Sequence, residues 1–293
     1  MGGQAVGNER SLGRDAGRRT GDLPGVTIPA MLPTFPHPEP LEHGLPGHAA
    51  ARLREQGFAR LGPDALAGLA RQPLAALQAL GPFWNTLPPD DHLKDGGRYR
   101  RRRHASYVQD VQGGTLAAVP HRPHWQPTTY NALHGGMLRH FAPLDPAMAA
   151  LPALETLMLG LGEVFAAAVH ATGTEPAFDG RWFIEAHPFR IDTTGGVGRP
   201  TPEGAHRDGV NFVAVLLVAR EGVIGGETRV FESDGPHGVR FTLDQPWSAL
   251  LLDDARVIHE STPIQPARDS APGHRDTLVL TYRAGAFQDP PAP

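Results

Sequence analysis

Apolar residues recur along the chain at two periods, and the change between them divides it. Residues 1–47 show neither period and are rich in Gly, Pro and charge, which predicts a poorly ordered arm. From residue 48 the run HAAARLREQGFARL has helical spacing and ends at Gly57. Gly62-Pro63-Asp64 restarts a helix with proline in its first turn, and Pro73 breaks the run ALAGLARQPLAALQAL into short helices. Residues 81–97 are polar and loop-like. Asp145 as N-cap and Pro146 as the first helical residue open the strongest helix, predicted over 146–171. From residue 181 the period falls to two. RWFIEAHPFRI, NFVAVLLVA, ETRVFES, GVRFTL, WSALLLD, RVIHEST and TLVLTYR succeed one another with Gly/Pro-rich turns between them, the pattern of an antiparallel sandwich or barrel. The expected organisation is an arm (1–47) and one domain (48–293), with a helical layer at 48–172 and a β core at about 181–288.

Composition narrows the classes. The 293 residues suffice for a sizeable core. Acids exceed bases by 31 to 27, a formal charge of −4, which argues against a globally basic nucleic-acid binder. No cysteine is present, so disulfides, thiolate metal sites and cysteine nucleophiles are excluded, and a cytoplasmic setting is expected. No apolar run has the length of a membrane span, and the N-terminal stretch lacks the apolar centre of a secretory signal. The expected partner is a small molecule, not nucleic acid or membrane; the oligomeric state is left open.

Two basic segments stand out. Arg14, Arg18 and Arg19 read as a solvated tail. The run RYRRRRHASYVQD (98–110) has strand-like flanks, and in a strand alternate arginines face opposite sides. About half could then line a cavity; the other reading is a solvated or phosphate-binding patch.

The chemistry concentrates just before the most apolar strand. His206 and Asp208 are two apart and share a face of extended chain, and His259 comes after several strands. Two imidazoles and one carboxylate on one side of an octahedral ion leave positions open, the arrangement of non-haem Fe(II) sites. With 15 His and 31 acids, about 1.6 His-x-acid triplets arise by chance, so the spacing alone is weak evidence. Three occur: His37/Glu39 in the arm, His206/Asp208, and His274/Asp276 at the start of the last strand. The second is favoured by the strand after it and by His259. A dicarboxylate chelating such an ion by one end needs a cation at the other. Arg275, on the closing strand, offers a planar, permanently charged fork; Arg283 shares its parity but lies at the far end. Thr228 is a candidate hydroxyl donor to the same carboxylate.

With these residues in place the sequence resembles the iron- and 2-oxoglutarate-dependent dioxygenases, and more narrowly the bacterial free L-amino-acid hydroxylases that include L-isoleucine 4-hydroxylase. The similar text is PTPEGAHRDGVNFVAVLLV, GGETRVF, PWSALLLDDARVIHESTPIQP and GHRDTLVLTYR, with RYRRRRHASYV and WFIEAHPFRI upstream, together covering roughly 50–288. Asn211 stands where an acid is more usual, and PARDSAPG lengthens the link from His259 to Arg275. The resemblance implies a mostly β (α+β) fold, a double-stranded β-helix of the jelly-roll or cupin kind with flanking helices. It implies Fe(II) on His206, Asp208 and His259, 2-oxoglutarate on Arg275, and O2 as oxidant. It also implies a free aliphatic L-amino acid hydroxylated, or sulfoxidised, with release of succinate and CO2. Such a substrate needs a cation for its carboxylate, for which Arg101 and Arg103 are candidates, and an acceptor for its ammonium, for which Glu185 and His187 are candidates. Trp182, Phe183 and Phe189 read as core. The rival readings are a cupin-type metal enzyme without oxygen chemistry, a nucleic-acid-binding or regulatory protein using Arg100 to Arg103, and an oxygenase acting on a peptide or protein side chain.

Overall fold

Proline and glycine set the boundaries of the helices. The structure, a computed structural model, describes residues 34–43, 46–131, 133, 135–169, 176–268 and 271–291. Helix α1 (Pro46–Gln56) stops at Gly57, whose φ of 81° suits glycine; a Cβ there would meet Val257 Cγ1 at 2.8 Å. The next residues, FARL, continue the helical spacing but form strand β1 (Phe58–Leu61), because the chain reverses at Gly57 onto a sheet edge. Helix α2 (Pro63–Leu69) begins with Pro63, and Pro73 precedes α3 (Leu74–Gln78). The helix expected over 146–171 is two helices, α4 (Pro146–Ala149) and α5 (Pro152–Ala168). Pro152 lacks an N–H and holds Leu151 extended at φ −75°, ψ 123°, so the first helix ends there. Asp145 caps α4 as expected, accepting from the Ala147 amide at 2.8 Å.

Strands β2 (Arg100–Arg102), β3 (Ala105–Asp110) and β4 (Thr115–Ala118) precede α4. After α5 come β5 (Arg181–Asp192), β6 (Phe212–Glu221), β7 (Val223–Gly225), β8 (Glu227–Glu232) and β9 (Gly238–Thr242). The last four are β10 (Ala249–Asp253), β11 (Val257–Ser261), β12 (Ile264–Pro266) and β13 (His274–Arg283). The large antiparallel sheet runs β1-β10-β6-β13-β5-β3-β4, with β2 also on β5; β11-β8-β9 and β12-β7 form two smaller sheets. Strands β1 to β4 thus extend the large sheet, which corrects the reading of 48–172 as a helical layer. The fold is a mostly β jelly roll with flanking helices, and no helix among the described residues is long and apolar enough to cross a membrane.

The two faces of the large sheet do different work. One face, with Trp182, Ile184, Leu278, Leu280 and Tyr282, packs on α1, α2 and α5. The alternate residues of β5 and β13, Glu185, His187, Phe189, Arg275, Thr277 and Val279, face a cavity on the other side. Residues 34–43, assigned by polarity to the arm, lie against the domain. Phe35 is buried edge-on to Phe58 at 4.8 Å, and the His37 amide donates to Gln56 Oε1 at 2.9 Å. The rest of the arm, including Arg14, Arg18 and Arg19, is outside the described residues.

Candidate metal centre and cavity

Backbone pairing brings the two distant histidines together. The amides of His206 and His259 each donate to the other's carbonyl at 3.0 Å, joining the loop before β6 to β11. Thr201 Oγ1 strengthens the joint, donating to the Ser261 carbonyl and accepting from its amide, both at 3.0 Å. Asp208 stands between the rings, with Oδ1 3.8 Å from His206 Nε2 and Oδ2 3.9 Å from His259 Nε2. One ligand atom from each of the three residues lies within 4.8 Å of the others. His206 Nδ1–H donates to the Gly204 carbonyl at 2.9 Å, which leaves the Nε2 lone pair toward Asp208.

Asp208 is itself held from behind. Buried Asp254 accepts the amides of Asp208, Gly209 and Val210 at 2.9, 2.7 and 3.2 Å, and Gln126 Nε2 donates to Asp208 Oδ1 at 3.1 Å. Gly209 adopts φ 77°, and a Cβ there would strike the Tyr130 ring at 2.3 Å. Burial and the Asp208 charge push the Asp254 carboxyl up to about 7. Burial, with His206 beside it, pushes His259 down to about 4. Burial opposes charge on His206 as well, but Asp208 and Glu203 hold its pKa above the ordinary value. Two imidazole nitrogens and one oxygen anion, in a cavity wall without thiolates, suit ferrous iron. The other His-x-acid triplets have no such third ligand among the described residues: Asp276 is paired with Arg190 at 2.7 Å and Glu39 with Arg52 at 2.8 Å.

Arg275 enters the same cavity from β13. It is 3% exposed, and its Nε and Nη2 meet no partner among the described residues. Burial, and Arg220 nearby, lower its pKa to about 10. A buried cation with unused donors is completed by an anion, and a ligand carboxylate has the matching shape. Ser261 lines the same cavity. Thr228 is buried as the cross-strand partner of Ser261, with Oγ1 3.5 Å from Ser261 Oγ, and of the two hydroxyls it is Ser261 that lines the cavity. Arg283 turns to the carbonyls of Ala286 and Phe287, away from Arg275.

The arginine run divides by strand parity, in the opposite sense to the expected one. The register Arg101↔Arg190 and Arg102↔Phe189 points Arg100 and Arg102 into the cavity. Arg101 is turned outward, 3.5 Å from Asp192, and Arg103 donates to the Pro143 carbonyl at 2.9 Å. Neither lines the cavity, which corrects the assignment of Arg101 or Arg103 to a substrate carboxylate.

Glu185 and His187 do line it, within a dense polar cluster. Glu185 accepts from His104 Nε2 at 3.2 Å and His124 Nδ1 at 3.0 Å, and Arg122 Nη1 is 3.6 Å away. Burial works against the Glu185 charge, yet His124 and His104 hold its pKa well below the usual carboxylate range. Arg102 Nη2 donates to His187 Nδ1 at 2.6 Å, and the His187 ring stacks on His104 at 4.7 Å. Burial pushes His124 down to about 4 and lowers His104 and His187 as well. His104, His124, Glu185 and His187 are a second group close enough to hold a metal. Its surroundings oppose a dication, because Arg102, Arg122 and Arg139 crowd it and His187 Nδ1 already accepts from Arg102.

Several cavity residues were not singled out from sequence. His124 and Arg139 pair by backbone at 3.0 and 2.9 Å, carrying Gln126 into the site. The run HRPHWQP, with two histidines between prolines, is the only local signal of this segment. Phe189, read as core, is also at the cavity wall, because it shares the parity of Glu185 and His187. Glu203 stands inside the motif PTPEGAHRDG, three residues before His206.

Comparison with known proteins agrees with this geometry. The family model described as 2OG-Fe dioxygenase matches residues 81–281. A crystal structure of a bsmA homologue (Mpe_A2762) from Methylobium petroleophilum PM1 is 59% identical, covering 86% of this chain and 97% of that one, with a TM-score of 0.78. IDO from Bacillus thuringiensis has a TM-score of 0.65 at 16% identity, over 85% of this chain and 99% of that one. The Fe(II)/α-ketoglutarate-dependent dioxygenase TqaL has a TM-score of 0.62 at 18% identity, over 82% and 87%. The last two likenesses concern the fold alone. No curated protein matches the chain.

Proposed function

The chain belongs to the 2OG-Fe dioxygenases, enzymes that use Fe(II), 2-oxoglutarate and O2, and on that premise we propose that it oxidises a free aliphatic L-amino acid. In this reading His206, Asp208 and His259 hold the iron, and Arg275 grips the far carboxylate of 2-oxoglutarate. When bound, iron with 2-oxoglutarate and O2 supplies the oxidation: one oxygen atom enters succinate as CO2 leaves, and the other enters a C–H bond or thioether of the substrate. The observation that carries the reading is the buried Arg275, whose Nε and Nη2 meet no partner among the described residues, in one cavity with the His206–Asp208–His259 group.

The protein's own part is position, charge and dryness. The paired backbones of His206 and His259 fix two ligands, and Asp254 with Gln126 fixes the third. Val210, Val215 and Val279 help to exclude water. Arg102, on β2 of the large sheet, and Arg139, paired by backbone with His124, carry the positive charge a substrate carboxylate needs. Resemblance at the sequence level supports the amino-acid substrate, and the mixture of cations and carboxylates in the cavity suits a zwitterion. Reduced iron and 2-oxoglutarate are both at hand in the cytoplasm, the setting we assign.

The test is succinate release with Fe(II), ascorbate and 2-oxoglutarate over the twenty amino acids. Isoleucine, leucine or methionine is expected to stimulate it, methionine being converted to its sulfoxide. Iron content separates the two histidine groups: His206→Ala is expected to lose the one bound iron and His104→Gln to keep it. Iron lost only in His104→Gln would place the metal in the other group. Wild-type protein unstimulated by any amino acid would defeat the substrate assignment.

A further inference from the structure

The cavity holds two glutamates, and they differ in what they have left to offer. Both oxygens of Glu185 are engaged, Oε1 by His104 at 3.2 Å and Oε2 by His124 at 3.0 Å. Glu203 sits in a tight turn before the metal motif, its side chain 13% exposed. Its Oε1 is 3.6 Å from His206 Nε2, and its buried Oε2 meets no donor among the described residues. A buried carboxylate oxygen without a donor is costly, so a bound partner that donates to it gains the whole of that difference.

The opposite charge is also waiting. Arg102 and Arg139 line the same cavity, each with a buried Nε that meets no acceptor among the described residues. Glu203 is close enough to Arg139 for its charge to oppose the proton loss that burial favours there. An α-amino acid places its ammonium and carboxylate on one carbon, so its site needs an acceptor and a cation facing each other across a narrow gap.

We infer that Glu203 receives the ammonium group of the amino-acid substrate while Arg102 and Arg139 take its carboxylate. This rests on the proposed amino-acid substrate and replaces Glu185 as the acceptor, since Glu185 is spent on holding His104 and His124. Glu203 is then a specificity-determining residue: it distinguishes an amino acid from the same acid without the amine. Glu203 Oε1 is 3.6 Å from His206 Nε2, but Glu203 is not one of the three residues whose ligand atoms all lie within 4.8 Å of one another, and the Fe(II) measurement below separates an ammonium acceptor from a fourth ligand.

The test measures binding apart from turnover. Wild type and Glu203→Gln, loaded with Fe(II) and 2-oxoglutarate without oxygen, are titrated calorimetrically with L-isoleucine, L-leucine and L-methionine. Each is also titrated with the corresponding 2-hydroxy acid, and Fe(II) affinity is measured separately. The expected result is a loss of roughly tenfold or more in amino-acid affinity for Glu203→Gln, because a neutral amide replaces a charge-assisted acceptor. The affinity of the 2-hydroxy acid is expected to be unchanged or improved, and the Fe(II) affinity unchanged. Equal amino-acid binding by both proteins overturns the role of Glu203 and leaves the substrate class standing. A parallel fall in affinity for amino acid and hydroxy acid, or a fall in Fe(II) affinity, assigns Glu203 to general structure or to the metal and overturns the inference. A wild type that binds no amino acid overturns both the inference and the substrate class beneath it.

Discussion

A single side chain decides how well the metal group is aligned. Asp208 lies on a loop, and nothing in a regular strand fixes its carboxylate. The fixing is done by Asp254, whose two oxygens take three successive amides, from Asp208 to Val210. Alanine at this position leaves those buried N–H groups without an acceptor and frees the loop to turn. Asp254→Ala is therefore expected to weaken Fe(II) binding roughly 10–100-fold, as loss of a residue that orients a ligand generally does. An iron titration with an optical chelator as competitor measures this, and wild-type affinity in the variant would remove Asp254 from the account. Sequence showed Asp254 only as one of two neighbouring acids in LLLDDARVIH; which of them turns toward the Asp208 loop depends on where β10 ends.

At the scale of elements, close approach of α5 to α2 is what brings the helices down on the large sheet. Gly160 allows it: a Cβ there would lie 2.1 Å from the Leu69 carbonyl oxygen, a backbone atom that cannot swing aside. Gly160→Ala is favourable for isolated helix propensity but forces the two helices apart. The expected net effect is a loss of about 2 kcal/mol in unfolding free energy, within the range for overpacked cores, read by urea denaturation. A variant as stable as wild type would mean the helices separate without cost. Elements also show where local pattern failed. FARL continues a helical spacing yet became β1, because Gly57 reverses the chain and the β10 edge was free to pair. The parity of Arg100 to Arg103 was open for the same reason: alternation divides the run into two faces, but only the register against β5 says which pair faces inward.

For the whole molecule, the buried histidine cluster makes one definite contribution to how stability depends on pH. His124 titrates near an ordinary 6.5 when unfolded and at about 4 when folded, chiefly because burial penalises its charged form; His104 and His187 are shifted the same way. The groups facing them are Glu185, which favours protonation, and Arg102, Arg122 and Arg139, which are cationic. Between pH 6.5 and 4 the unfolded chain therefore binds protons that the folded chain refuses. This contribution to stability is full above 6.5 and is lost as pH falls through that window. Asp254, raised to about 7, works in the opposite sense over the same window, so the cluster is read by difference: in urea denaturation from pH 7.5 through 6 to 5, His124→Gln is expected to lose less stability than wild type. A variant with an unaltered slope would assign the acid sensitivity to other groups.

The succession of strands from residue 181 onward, the His206/Asp208 spacing, the return of a lone histidine at 259 and the presence of a cation at 275 were legible along the chain, because strand period and ligand chemistry are properties of short segments. The sequence alone also carried the family. The tertiary structure decided what depends on register and on unlike segments meeting. It put Arg102, not Arg101, in the cavity, and brought His124, Gln126 and Arg139 in from a proline-rich stretch with no period. It engaged Glu185 within the histidine cluster while leaving Glu203 Oε2 without a donor among the described residues. A one-residue shift of pairing reverses every side chain of a strand, and no local pattern records which partner edge a strand will find.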